Sequence, residues 1–162
     1  MKIRPETTTD IDLIRDLHEQ AFGRDQEAVL VDTLRSDGSV VLSLVAEDGT
    51  GILGHLMLSR MDAPFRALGL GPVGVLPGRQ RTGIGSALIR RGIASAVEEG
   101  WEAVFVVGDP AYYRRFGFDA GTASGFESPY AGSYLMALPL AARGLTVRTG
   151  RIDYAPAFAG LS

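Results

Sequence analysis

A proline set inside an apolar strand, followed by a glycine-bracketed loop and then a helix, restricts this chain more than any other feature. The segment is Leu70-Gly-Pro-Val-Gly-Val-Leu-Pro-Gly-Arg-Gln-Arg-Thr-Gly-Ile-Gly-Ser-Ala-Leu-Ile89. Pro72 has no N–H and cannot serve a central ladder. The strand expected over 68–76 must therefore bulge or pull away from one neighbour, leaving the sheet open there. The run Gln80-Arg-Thr-Gly83-Ile-Gly85 then places consecutive backbone N–H groups at a helix N-terminus, and its glycines admit an anion with no Cβ in the way. An anionic ligand is the first functional expectation.

The surrounding pattern completes a βαβ unit. Helical spacing runs from Gly83 to about Glu99, with Leu88, Ile89, Ile93, Ala96 and Val97 as buried candidates and Gly100 as the stop. Ala103–Val107 reads as a buried strand, parallel to the one before the loop. Upstream, Met1–Pro5 is a short strand. Thr9-Asp10 offers cap chemistry for a helix with Ile11, Ile14, Leu17, His18, Ala21 and Phe22 on one face. A second helix is expected over Gln26–Arg35, then a hairpin of Val40–Ala46 and Gly51–Ser59 around Glu47-Asp-Gly-Thr50. Downstream, Asp109-Pro110 starts a short helix ending by Phe116-Gly117, and Ser133–Leu138 is a strand. Leu145–Tyr154 alternates as a small hairpin or edge addition would, and Pro156 onward reads as a tail.

At 162 residues, with 46% apolar and 22% charged side chains, the chain has the make-up of an ordinary globular protein. No repeat or linker divides it, so one domain over residues 1–162 is expected, with 140–162 as a C-terminal extension. It has no cysteine, which excludes disulfides, thiolate metal sites and cysteine nucleophiles, and its two histidines make no metal site. The start lacks an apolar leader and no run is long enough to span a membrane, so a cytoplasmic location without membrane contact is expected. A net charge of −3, with Lys2 the single lysine, argues against a nucleic-acid surface. The pairs Arg79/Arg81, Arg90/Arg91 and Arg114/Arg115 either complement an anion or lie on solvated faces.

A lone Gly-x-Gly at a helix start is weak evidence. A dinucleotide fingerprint wants glycine or alanine where Leu88 stands, and a P-loop needs a lysine followed by serine or threonine. The combination Val73-Gly-Val75, Pro77, Gln80-x-x-Gly83-x-Gly85, helix, buried strand and Tyr113-Arg-Arg-Phe-Gly117-Phe118 is more specific. It resembles the GNAT superfamily of acetyl-CoA-dependent N-acetyltransferases over roughly residues 1–139. The resemblance implies a mixed α/β fold: a mostly antiparallel twisted sheet, a central parallel pair splayed to bind CoA, and helices on both faces. It implies that the backbone of Val73, Gly74 and Val75 bonds the pantetheine arm. It also implies that Gln80, Arg81, Thr82, Gly83, Ile84, Gly85 and Ser86 hold the pyrophosphate, and that Tyr113 is the general acid. One departure stands out: an asparagine common seven residues before the tyrosine is Val106 here, with Asp109 placed to act from nearby.

Direct acetyl or related acyl transfer to an amine needs that amine neutral, with no metal involved. His55, on the second hairpin strand, and Glu127, in the loop before the Ser133–Leu138 strand, are candidate bases through water; a hydrogen-bonded strand histidine and a solvated loop acid are the plainer readings. His18 reads as a satisfied, half-buried helix histidine. The loop Gly121–Gly132, with Phe126, Glu127, Pro129 and Tyr130, is placed to wall an acceptor site. Small amines, amino-acid derivatives, antibiotics and peptide N-termini all stay open as acceptors. A non-catalytic acyl-CoA-binding module and a dinucleotide-binding domain are the rival readings. Strands near 133–154 are compatible with a homodimer.

Overall fold

The alternation of the hairpin strands decides which helix covers which face of the sheet. The structure is a computed structural model describing residues 1–161. Strands β1 (Lys2–Pro5), β2 (Val40–Asp48), β3 (Gly51–Arg60), β4 (Ala67–Val75), β5 (Ala103–Val107) and β7 (Leu135–Pro139) form one sheet in the order β1-β2-β3-β4-β5-β7. Every neighbouring pair is antiparallel except β4 and β5, as the βαβ reading requires.

Leu44 and Leu56 point to one face, where α3 (Ile84–Glu98) lays Ile84, Leu88, Ile89 and Ala96 against them. Val45 and Met57, one residue out of step, point to the other face. There α1 (Ile11–Phe22) and α2 (Gln26–Ser36) contribute Ile14, Leu30, Val31 and Leu34. Burial of large aliphatic side chains such as these stabilises by about 1.5–3 kcal/mol each, and alanines and phenylalanines fill the rest of the core. Gly23 closes α1 in the left-handed region at φ +68°, its N–H bonding the Glu19 carbonyl at 2.9 Å. No helix among the described residues is long and apolar enough to cross a membrane.

Beyond β5 the chain forms α4 (Pro110–Tyr113), α5 (Ala120–Ala123) and β6 (Phe126–Glu127), then β7, then β8 (Gly150–Arg151). Two expectations for the end of the chain are corrected. Of the hairpin or edge addition expected over 145–154, the hairpin is not formed: β8 adds in parallel to β6, and Asp62 and Asp153 exchange backbone hydrogen bonds of 2.9 Å. Nor is 156 onward a loose tail. Pro156–Gly160 is a 3₁₀ turn whose Phe158 is buried with the α2 cluster, while the wholly buried Ile152 joins a second cluster with Phe105 and Phe126. Ile152, Ala155 and Phe158 recur every third residue, so one side of this segment is apolar and takes a place in the core.

Candidate active site

β4 and β5 share three register pairs, Ala67↔Ala103, Leu68↔Val104 and Gly69↔Phe105, and then part. β4 continues to Val75 on the other side, paired only with β3. Between Leu58↔Leu70 and Leu56↔Val73 the register shifts, so Gly71 and Pro72 together oppose Met57 in a bulge. The proline therefore sits where the ladder has an extra residue. Leu76 N–H bonds the Leu53 carbonyl on the β3 side at 2.9 Å. N–H groups alternate edges along a strand, so those of Val75 and Val73 face the open edge.

The loop after β4 is held in an unusual backbone conformation. Arg81 has φ +64° and Gly83 φ +92°, and a non-glycine residue in the left-handed region persists only where its surroundings enforce it. Those surroundings are visible: Gln80 Nε2 donates to the Val75 carbonyl at 3.1 Å, Thr82 Oγ1 to the Arg79 carbonyl at 2.5 Å, and Arg79 pairs with Asp48 at 3.2 Å. The loop delivers the chain into α3, whose first-turn N–H groups have no intrahelical acceptor. A Cβ on Gly85 would make only ordinary contacts, with the Tyr112 hydroxyl at 3.5 Å and Val75 Cγ2 at 3.7 Å, and one on Gly83 would meet nothing within 4 Å; beside them lies space. That space is a cavity of about 550 Å³ bounded by Val73, Val75, Arg81, Gly85, Ser86 and Tyr113.

Tyr113 borders this cavity as well. Asp109 accepts from Ala111 N–H at 3.0 Å and caps α4, with Pro110 at the first helical position. The exposed Asp109 carboxylate thus serves as a cap, and the residue lines neither this cavity nor the next. Gly108 gives Tyr113 its place, because a Cβ there would lie 2.4 Å from the tyrosine ring. Burial first, and the neighbouring Tyr112 second, push the Tyr113 phenol up to about 12. Val106 is wholly buried in the core.

A second cavity of about 360 Å³ opens on the other side of Val73 and Tyr113, which border both. Phe22, Leu30, Tyr130 and Phe158 wall it, and Glu27 is the only charged side chain on it among the described residues. Glu27 is buried, its carboxylate accepting from Arg24 at 3.0 and 2.6 Å. The Tyr154 hydroxyl is buried with no hydrogen-bond partner among the described residues, and burial raises its pKa above the ordinary phenol range. Phe22 and Val107, both substantially exposed, form an apolar rim.

Neither candidate base reaches these cavities. His55 shares strand parity with Met57 and lies wholly buried beneath α1. Its Nε2 is 2.7 Å from Ser43 Oγ, which donates to the Glu6 carboxylate, and its Nδ1 is 2.8 Å from His18 Nε2. A carboxylate only accepts, so the protons run one way along the chain: Ser43 to Glu6, His55 to Ser43, His18 to His55. His18 Nδ1 then carries a lone pair with no partner among the described residues, packed against Gly74. His18 is wholly buried rather than half-buried, and burial, with His55 adding, lowers its pKa to about 3. Burial also lowers that of His55. Glu127 is exposed on β6, where its carbonyl accepts from Ile152 N–H; Tyr130, three residues on, is the loop residue that reaches the cavity.

The family model for the acetyltransferase (GNAT) domain matches residues 2–121. The chain belongs to the GNAT family. The N-acetyltransferase YhbS of Escherichia coli K12 is 34% identical to it over 160 residues, covering 95% of this chain and 96% of that one. The crystal structure of YhbS in complex with CoA superposes with a TM-score of 0.93 at 32% identity, covering 99% of this chain and 93% of that chain. A GNAT family acetyltransferase from Brucella melitensis, in complex with acetyl-CoA, gives 0.81 at 35% identity, covering 97% of each chain. With such relatives, this GNAT chain is an N-acetyltransferase, with the splayed parallel pair and helices on both faces that the family resemblance implied.

Glu27, Tyr154 and Phe158 of this GNAT groove escaped the sequence reading, and Phe22, Leu30 and Val107 were read only as parts of helices and a strand. Glu27 carried a signal. It precedes the buried Leu30, Val31 and Leu34 by three, four and seven residues, so it is an acid on the apolar stripe of α2. Tyr154 and Phe158 lay in the segment read as edge and tail.

Proposed function

We propose that this protein transfers an acetyl group from acetyl-CoA to an amine, the two substrates meeting where Val73 and Tyr113 border both cavities. That junction is the observation that carries the reading. The complexes of YhbS with CoA and of the Brucella acetyltransferase with acetyl-CoA support the choice of donor. The loop residues Gln80, Arg81, Thr82 and Gly83 and the first-turn N–H groups of Ile84, Gly85 and Ser86 hold the pyrophosphate, with the helix dipole adding to the attraction. The Val73–Gly74–Val75 backbone, left unpaired by β5, receives the pantetheine amides as an added strand would.

The amine nitrogen attacks the thioester carbonyl carbon; a C–N bond forms, the C–S bond breaks, and its electron pair goes to sulfur. An ammonium acceptor loses one proton before attack and the nitrogen gives up a second on forming the amide. The sulfur gains one, and one is released to solvent. A phenol at about 12 stays protonated throughout the neutral range. Being a much weaker acid than a thiol near ~8.5, Tyr113 donates a hydrogen bond to the sulfur as charge builds on it, and it passes its proton on only as the second proton leaving nitrogen replaces it. Deprotonation of a lysine-like amine at pH 7 costs roughly 4–5 kcal/mol, and water at the open rim can carry that proton.

Release of CoA thiol from acetyl-CoA in the presence of an amine panel tests this reading. Amine-dependent thiol release that falls in Tyr113→Phe supports it. Release that ignores the amine, or a Gly85→Val protein that is folded and binds acetyl-CoA normally, overturns it.

A further inference from the structure

From the second cavity, and resting on the transfer reading above, we infer that the acceptor is a cationic primary amine carried on an apolar, preferably aromatic body, without a carboxylate near the amine. Three observations converge on this class. Glu27 is a buried carboxylate on α2, and Arg24 engages its oxygens while leaving each oxygen a further lone pair. Tyr154, a residue bordering the same cavity, has a buried hydroxyl with no partner among the described residues, and a buried hydroxyl left unpaired is costly until a ligand or a small shift satisfies it. The remaining wall is aromatic and aliphatic: Phe22, Leu30, Tyr130 and Phe158.

An ammonium supplies three N–H donors, enough to bond Glu27 and Tyr154 together, and the ring faces add cation–π attraction. No arginine or lysine borders the cavity among the described residues, and Arg24 is engaged by Glu27, so an acceptor carboxylate finds no counter-ion on the cavity wall. A hydrophilic body would lose its water against the aromatic wall with nothing to replace it. The volume of about 360 Å³ lies in the range of small-molecule sites, which favours a small amine over a folded protein surface. Glu27 is a binding residue here: it holds the ammonium beside the junction at Val73 and Tyr113, where the thioester arrives.

The test compares 2-phenylethylamine, phenylalanine and ethanolamine as acceptors with acetyl-CoA, reading thiol release. The expected result is a kcat/KM for 2-phenylethylamine at least tenfold above either of the others. Glu27→Gln, which keeps the shape of the side chain, should raise KM for that amine tenfold or more while the Kd for CoA changes less than twofold. Tyr154→Phe should raise KM threefold or more with no loss of thermal stability. A preference for phenylalanine or ethanolamine, or unchanged KM values in both variants, overturns the inference. In parallel, 2-phenylethylamine is titrated calorimetrically into the CoA-loaded protein. Binding that Glu27→Gln weakens tenfold upholds the acceptor class even if no thiol is released, in which case only the transfer reading falls. Absence of amine binding to the wild-type complex sinks the acceptor class itself.

Discussion

The two ends of the groove are built from different materials. At the loop end, on the proposed reading, the groups that would meet the donor are backbone: the N–H groups of Val73 and Val75, and those of the first turn of α3 behind Arg81 and Gly83. At the acceptor end they are side chains drawn from α1, α2, the segment after β6, and the C-terminal turn. A backbone cradle demands particular residues at set spacing, because only glycine or an enforced left-handed residue gives the required turn. A side-chain cavity needs only suitable shapes to arrive from anywhere in the chain. One end can therefore stay constant while the other is remade for a different acceptor.

The largest effect expected along this division is at the junction. Tyr113→Phe should lower kcat by roughly 100-fold or more while the CoA Kd is retained, as removal of a general acid does. Steady-state kinetics beside calorimetry would show both; an unchanged kcat removes Tyr113 from the chemistry. Next, Gly85→Val should weaken CoA binding by roughly 100-fold, about 2.7 kcal/mol, with little change in unfolding midpoint, because its new Cβ meets only ordinary contacts in the protein. Loss of affinity together with collapse of the fold would mean that the glycine serves packing instead.

Phe158→Ala separates the two ends from the other side. Truncating this buried ring should cost about 3 kcal/mol of stability by chemical denaturation and raise the acceptor KM, with CoA affinity nearly unchanged. A CoA defect as large as the acceptor defect would contradict the division. The smallest effect concerns pH. His18 has a pKa of about 3 in the folded protein against 6.5 when exposed, so below 6.5 the unfolded chain binds more protons and stability falls with pH. Denaturant midpoints between pH 7 and pH 5 should reveal a slope approaching about 1.4 kcal/mol per unit below 6.5 from His18, with His55 adding in the same direction. His18→Phe should flatten it; a slope that survives in this variant must come from other groups.

The same division explains what could be read in advance. Pro72, Gln80, Gly83, Gly85 and Tyr113 stand close together in the chain with fixed spacing, so the opened sheet, the parallel pair and the loop could all be inferred. Glu27, Tyr130, Tyr154 and Phe158 span more than a hundred residues, and only the tertiary fold brings them round one cavity. His55 drew attention as a titratable group on a strand beside the groove. Its parity with Met57 turns it to the α1 face, where Ser43 and His18 occupy both ring nitrogens. The C-terminal turn was hidden by prolines and glycines that normally mark loose ends, although its three-residue apolar spacing was present.

A crystal structure with acetyl-CoA bound would test the central claim most directly. The pyrophosphate should lie on the N–H groups between Arg81 and Ser86, the pantetheine amides should bond Val73 and Val75, and the thioester sulfur should come within hydrogen-bonding distance of the Tyr113 hydroxyl. A donor whose thioester ends away from Tyr113, or whose pyrophosphate leaves the loop N–H groups unengaged, would contradict it.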